Sequence, residues 1–295
     1  MSVATTAQWV EGARLRTLPM AMAPVIAGSA AAAGLGAFHP VRALLALVVA
    51  LLLQIGVNYA NDYSDGIRGT DDARVGPLRL VGSGAATPGA VKRAAFGCFG
   101  AAMVAGLLLV VLSGTWWLLL VGAASVVAAW YYTGGSRPYG YHGLGEVFVF
   151  VFFGLVATLG TTYTQALTVS GPAIVAAVAT GLIATALLMV NNIRDIPTDS
   201  AVGKRTLAVR LGDRAARGTY VGMLAVALLL VVVVVPAHPW LLVVLLLAPV
   251  CVPPCRRVLT ATDRAALIPV LRQTGIINLA YSLLFTLGIV LDLAG

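Results

Sequence analysis

The sequence predicts an all-α membrane protein: nine transmembrane helices, set as two similarly oriented four-helix repeats plus a ninth helix around a central cavity. Three observations predict it. The 295-residue chain is 60% hydrophobic and 10% charged, with a mean hydropathy of +0.95; soluble domains are about half apolar and a quarter charged. Its uncharged runs come in lengths of one or two bilayer crossings, each needing roughly 20 residues. Counted from an inside N-terminus, nine crossings leave every one of the 19 Lys and Arg residues except Arg42 in a cytoplasmic segment, the bias that membrane insertion imposes.

The first two spans, 17–37 and 43–61, are single uncharged segments. Three longer apolar stretches must each fold back once, and each carries a helix breaker in its middle: "SGT" at 113–115, "SGP" at 170–172 and "PAHP" at 236–239. They divide into spans 94–112 and 116–133, 147–169 and 173–195, and 218–235 and 240–255. The ninth span is 273–291. No basic region followed by a short apolar run and a cleavage site opens the chain, so the first helix is expected to act as its own insertion signal. The net charge of +8 follows from topology and from anionic headgroups on the cytoplasmic leaflet, so membrane lipids are the expected surface partner and nucleic acid is not required. Cys98, Cys251 and Cys255 lie in or at apolar helices and read as packing residues.

One transmembrane domain over 1–295 is expected, with its working face inside. The inner connections are long and charged, the outer ones short. Two of them, 62–93 and 194–217, read as cap and active-site loops, and "RVGPLRLVGSGAATPGA" within the first reads as an interface-lying cap. Both loops begin where a helix exits to the cytoplasm, and both open on N-x3-D: Asn58 with Asp62, and Asn191 with Asp195. The copies are four helices apart, hence in the same orientation, and this echo is what suggests the repeat.

On a helix Asn58, Asp62 and Asp65 share one face; Asp195 and Asp199 do so too, although Pro197 between them marks a kink or an end. Carboxylates crowded at the low-dielectric end of a bundle disfavour one another's ionisation unless cations sit among them. Oxygen ligands without converging His or Cys point to Mg2+, which is usually shared with substrate phosphates. A diphosphate is then the expected partner, with Arg68, Lys204 and Arg205 available for its other oxygens. Asn58, Asn191 and Asn192 carry the polar stripe one turn deeper, where amides are expensive without partners. Glu146 divides between helix cap and site, while Gln54, Gln165, Gln273 and Asn278 read as interhelical hydrogen-bond glue.

"NDYSD" followed by "GTDD", and "NNIRDIPTD" followed by "GKRTLAVRLG", resemble the two aspartate-rich motifs of the UbiA superfamily of intramembrane prenyltransferases. Within it, "RLRTLPMAMAPVIAG" and "YTGGSRPYGYHGLGE", with those two motif blocks, are similar to the branch that prenylates 1,4-dihydroxy-2-naphthoate in menaquinone synthesis. The likeness runs over 12–215. It implies that Asp62, Asp65, Asp71, Asp195 and Asp199 bind Mg2+ and diphosphate, supported by Asn58, Asn61, Asn191, Asn192 and Arg194. It further implies transfer from a polyprenyl diphosphate to 1,4-dihydroxy-2-naphthoate with loss of carbon dioxide. Gly69 stands where the superfamily commonly has a further acidic residue, leaving Asp71 or Asp72 to substitute. The tyrosine block lacks a lysine, making Arg137 its only permanent cation and a candidate for the diphosphate.

Other acceptors, namely 4-hydroxybenzoate, homogentisate or heme, would keep this chemistry and change the pocket. "DGIRGTDDARVG" does not supply the spacing of a CDP-alcohol phosphatidyltransferase. A cation-coupled transporter would place its polar stripe near the bilayer midplane, whereas these acids lie at one edge.

The topology is checked by cysteine labelling in a background without the native cysteines. Reporters at Thr70 and Ser200 are expected to react only from the cytoplasmic side, and one at Thr115 only from outside; labelling of all three from one side overturns the arrangement.

Overall fold

The computed structural model describes residues 4–69 and 78–295. Within them the chain is all helical, an integral multi-pass membrane protein. Eight helices are long and apolar enough to cross a membrane. The chain enters through α1 (Thr6–Gly12), then a 3-10 turn and α2 (Leu18–Gly34), which together make one span. There follow α3 (Pro40–Ile67), α4 (Pro88–Ser113), the shorter α5 (Leu118–Tyr131), α6 (Gly145–Ala166) and α7 (Gly171–Arg194). Two short helices, α8 (Ile196–Ala201) and α9 (Leu207–Leu211), lead to α10 (Asp213–Val233), α11 (Pro239–Thr260) and α12 (Arg264–Ala294).

The expected breakers end or start helices as placed. Gly114 follows α4 at φ 71°, Ser170 caps α7 by accepting from the Ala173 N–H, and the Pro236–Pro239 stretch separates α10 from α11. Two expectations shift. The second span continues past Asn61 through both aspartates to Ile67, because a helix at the membrane edge can carry its charged turns out of the hydrocarbon. The fourth is only 14 residues long, about 21 Å at 1.5 Å per residue, against a hydrocarbon core of about 30 Å. A turn at Thr115–Trp117 precedes it, and "TGGSRP" stops it. The fourth expected crossing is therefore a short apolar helix, and the count of full-length spans among the described residues is eight. The loop expected at 194–217 is largely helical, occupied by α8, α9 and the start of α10, whereas α3 and α4 reach only into the two ends of the one expected at 62–93.

Hydrophobic packing falls into two main clusters, with a small third one of Val25, Ala46 and Leu109 among α2, α3 and α4. The larger joins α7, α10, α11 and α12 to the alanines of α2; the smaller joins α3 and α4 to Tyr59, Leu80 and Phe99. In the first, glycines allow backbones to touch, the usual device where lipid offers helices no hydrophobic drive to associate. A Cβ on Gly28 of α2 would stand 2.4 Å from the Thr158 carbonyl oxygen of α6, and one on Gly154 would stand 2.5 Å from the Gly181 Cα of α7. Thr162 Oγ1 donates to the Gly28 carbonyl at 2.9 Å across the same crossing. Leu108, Leu120, Val233 and Leu246 are exposed, as suits side chains that meet lipid.

The polar glue works as expected at three of its four positions. Gln54 donates to Thr17 and Asn58, Gln165 accepts from the His39 N–H and donates to Ser29, and Asn278 donates to Met20 Sδ. Gln273 Oε1 is buried without a partner. Arg42, the lone arginine outside the basic segments, donates to the carbonyls of Leu112 on α4 and Thr164 on α6, and so caps two helix C-termini.

Because the α6–α7 crossing has no room for a side chain, Gly154→Val is expected to destabilise the fold by about 1–3 kcal/mol. Gly160→Val is the control, since a Cβ there meets nothing within 4 Å. Thermal unfolding in detergent should separate the two; equal midpoints would refute the crossing.

Candidate active site

A cavity of about 640 Å³ is walled by α2 to α7. Its walls run from the aspartate-bearing end, at Asp65 and Lys204, through Leu53, Phe152 and Val156 to Leu109, Leu118 and Thr164 near the opposite end. One end is polar and the length is apolar. Phe152 and Val156 belong to a π-helical segment of α6, Phe150–Val156, a local underwinding frequent at functional sites.

The first motif divides between scaffold and cavity. Asp62 is fully buried behind the wall: Oδ2 accepts from the Leu80 N–H at 2.8 Å and Oδ1 from the Val81 N–H at 3.0 Å. These are charge-assisted bonds, the stronger kind, and they bind the segment after residue 77 to α3. Asp65 lines the cavity and accepts from Tyr141 Oη at 2.8 Å. Asn58 lines it too, donating to the Ala13 carbonyl at 2.9 Å and to Thr17 Oγ1 at 3.0 Å. Asn61 Oδ1 accepts from Thr133 Oγ1 at 2.8 Å. Arg68 turns away, donating to the carbonyls of Ser64, Thr133 and Gly135. Asp71 and Asp72 lie outside the described residues.

In the second motif α7 stops at Arg194, and Asp195 is the joint before α8, which starts around Pro197. Asp195 accepts from Arg194 at 2.6 and 2.7 Å and from Asn191 at 3.5 Å. Asp199 is buried and pairs with Lys204 at 3.3 Å. Asn191, Asn192 and Lys204 line the cavity, whereas Asp195, Asp199 and Arg194 do not. Arg205 and Arg137 are exposed and away from it.

Tyr141 joins the two motifs. Its hydroxyl donates to Asp65, its ring lies under the Lys204 ammonium at 5.1 Å and the Arg68 guanidinium at 5.5 Å, and its carbonyl accepts from the Arg205 N–H at 2.9 Å. Sequence reasoning passed over Tyr141, as it did Arg14 and Arg79, two further cations on the wall. Arg14 had a local signal only in retrospect, standing in the left-handed region at φ 54°; such strain persists where surroundings impose it. Tyr132 and Tyr139 also line the cavity. Burial, and then the nearby Glu146, Tyr139, Asp65 and Asp199, push the Tyr132 phenol well above its usual range, and burial does the same for Tyr139. Both are neutral donors at any physiological pH.

No group of three His, Cys, Asp or Glu side chains converges to hold a metal among the described residues. The donor set at the polar end is nevertheless oxygen-only, the Asp65 carboxylate with four asparagine amides on the wall and the Asp199 carboxylate paired to Lys204 beside it. It fits Mg2+, which keeps waters and shares ligands with phosphates, and does not suit a softer metal.

Residues 21–291 match the model of the UbiA prenyltransferase family. The chain is 56% identical to a 1,4-dihydroxy-2-naphthoate octaprenyltransferase from Mycobacterium tuberculosis, across 95% of this chain and 96% of that protein. It is 42% identical to one from Escherichia coli, across 98% and 97%. Among solved structures, a UbiA homolog from Archaeoglobus fulgidus bound to GPP and Mg2+ aligns with a TM-score of 0.66 at 12% identity, over 96% of this chain and 99% of that one. A UbiA homolog from Aeropyrum pernix aligns at 0.65 with 16% identity, over 92% and 98%. At such identities the structures speak for the fold.

The role of Asp62 as an anchor is checked by amide exchange. Asn in its place keeps one acceptor and opposes an N–H to an N–H, so Leu80 and Val81 should exchange at least about tenfold faster, the equivalent of about 1.4 kcal/mol. Asp65→Asn should leave them protected.

Proposed function

The chain belongs to the UbiA prenyltransferase family, and from that premise we propose that it transfers a polyprenyl group from polyprenyl diphosphate to 1,4-dihydroxy-2-naphthoate, with decarboxylation, to give a demethylmenaquinol. The observation that carries the reading is the cavity's polarity. Its end at Asp65, Lys204, Arg14 and Arg79 matches a diphosphate, and its apolar length matches an isoprenoid tail. The strong identity to curated naphthoate prenyltransferases over nearly the whole of both chains supports this acceptor over its alternatives.

We assign Asp62, Asp65, Asp71, Asp195 and Asp199 to Mg2+ and diphosphate. Bound there, Mg2+ would neutralise charge on the leaving diphosphate. Among the described residues Asp65 is the one of these acids that lines the cavity; Asp62, Asp195 and Asp199 would exchange their present partners to join it. Lys204, Arg14 and Arg79 hold diphosphate oxygens, and the amides of Asn58, Asn61 and Asn191 donate to them. These fixed charges and dipoles favour the departing anion without reorganising, often the largest part of an enzyme's acceleration.

The allylic cation that remains needs shelter from water. The apolar walls provide it, and the faces of Tyr139 and Phe148, stacked at 3.9 Å in the cavity wall, attract positive charge. The electron-rich ring attacks through the carbon bearing the carboxylate, the new C–C bond forms, and loss of carbon dioxide returns the electron pair to the ring. No strong protein base is needed at that carbon. The family fold and the position of the acids at one membrane edge favour this over transport. The proposed setting is the plasma membrane, with the N-terminus and polar end in the cytoplasm.

The purified protein, given Mg2+ and a polyprenyl diphosphate, should consume 1,4-dihydroxy-2-naphthoate and release one carbon dioxide per prenyl group, with 4-hydroxybenzoate a poor substitute. Efficient prenylation of 4-hydroxybenzoate with its carboxylate retained, and none of the naphthoate, would move the chain to another branch. Asp65→Asn and Asp195→Asn should each lower kcat by at least about a hundredfold, on the scale of removing one transition-state contact, with the fold intact by thermal unfolding. Near-normal turnover of either variant would remove that motif from the site.

A further inference from the structure

Glu146, at the start of α6, has no part in the reaction derived above. It is only 3% exposed, and its two carboxylate oxygens differ: Oε1 accepts from Asn192 Nδ2 at 2.9 Å, while Oε2 is buried with no hydrogen-bond partner. A half-satisfied buried carboxylate is costly, and a fully apolar α6 start would avoid the cost.

The neighbours of Glu146 show what the cost supports. Asn192, its partner from α7, lines the cavity. Tyr132 lines it as well, and its hydroxyl lies by the backbone that carries Glu146: a Cβ on Gly145 would stand 3.2 Å from Tyr132 Cε2 and 3.7 Å from its oxygen. Gly140 approaches the same edge of the ring, where a Cβ would meet Tyr132 Cε2 at 2.9 Å. Two glycines thus hold the tyrosine in one place.

An asparagine amide has a donating end and an accepting end. With the NH2 end of Asn192 turned into the wall onto Glu146, its carbonyl is the end left for the cavity. Tyr132 presents a neutral phenol, a donor. One accepting and one donating group on this part of the wall match a hydroxyl, which both donates and accepts.

We propose that Glu146 is a positioning residue for the aromatic acceptor: by taking the Asn192 N–H it fixes the Asn192 carbonyl to receive a hydroxyl of the ring, which Tyr132 meets as donor. The inference rests on the dihydroxyaromatic acceptor assigned above and adds the residues that recognise its hydroxyl. A phenolic O–H pointed at a carbonyl also feeds electron density into the ring that attacks.

The test uses the full-length protein with Mg2+, a polyprenyl diphosphate, 1,4-dihydroxy-2-naphthoate, and two naphthoates each lacking one hydroxyl. Glu146→Gln can pair with Asn192 in either amide orientation, so it should raise KM for the aromatic about tenfold, corresponding to about 1.4 kcal/mol, and leave KM for the diphosphate unchanged. Asn192→Ala should abolish discrimination against one of the two analogues. A merely structural role lowers the active fraction, and with it the apparent kcat, without separating the two KM values. Equal rises in both KM values, or an unchanged aromatic KM in Glu146→Gln with discrimination kept in Asn192→Ala, would overturn the proposal. If Glu146→Gln does not fold, Asn192→Ala decides it alone. Failure of the unsubstituted protein to prenylate the naphthoate defeats the functional reading itself, and this proposal with it.

Discussion

Buried carboxylates at one end of an apolar bundle set the terms for everything around them. In low dielectric an unpaired charge cannot be tolerated, so each acid must draw in a partner from another part of the chain. Asp62 draws in the N–H groups of Leu80 and Val81, which brings Leu80 into full burial against α3. Asp65 draws in Tyr141, and Asp199 draws in Lys204, whose ammonium lies over that same tyrosine ring. Three connecting segments are thereby fixed over the cavity. Replacing the acids by leucines would remove the reason for those segments to be where they are.

The helices themselves are held by a different economy. Between α2 and α6, and between α6 and α7, glycine permits contact at backbone distance, and threonine hydroxyls cross the same seams. The small cluster of Val25, Ala46 and Leu109 lies in the cavity wall itself. Rigid crossings thus border a space that the chain itself does not fill, and a π-helical stretch of α6 widens one wall.

Much of this was legible in the sequence, because hydropathy and helix breakers are local. Ser113–Thr115, Ser170–Pro172 and Pro236–Pro239 mark their turns without reference to anything distant. The asparagines and aspartates were legible too, since polar residues stand out where the background is apolar. The helix ends were harder. Charge stops a hydropathy count at Asn61, yet backbone hydrogen bonding carries α3 to Ile67, and the shortness of α5 depends on the "TGGSRP" turn. What could not be read was pairing across the chain. Tyr141 with Asp65, and Asn192 with Glu146, are contacts between different helices and loops. Nothing local in "PYGYHG" says which tyrosine faces the acids, and Arg137 there turns outward instead.

The short α5 has a consequence for the surrounding lipid. A helix of 14 residues cannot match hydrocarbon of about 30 Å, so the bilayer must thin against it or draw its polar border inward, at a fraction of a kcal/mol per ångström. Since Leu118, Gly122 and Val126 of α5 face the cavity, that distortion falls along the flank of the cavity itself. Acyl chains beside α5 would meet a shorter apolar wall than elsewhere around the protein, so the bilayer would give way most easily where a long isoprenoid has to pass between protein and lipid.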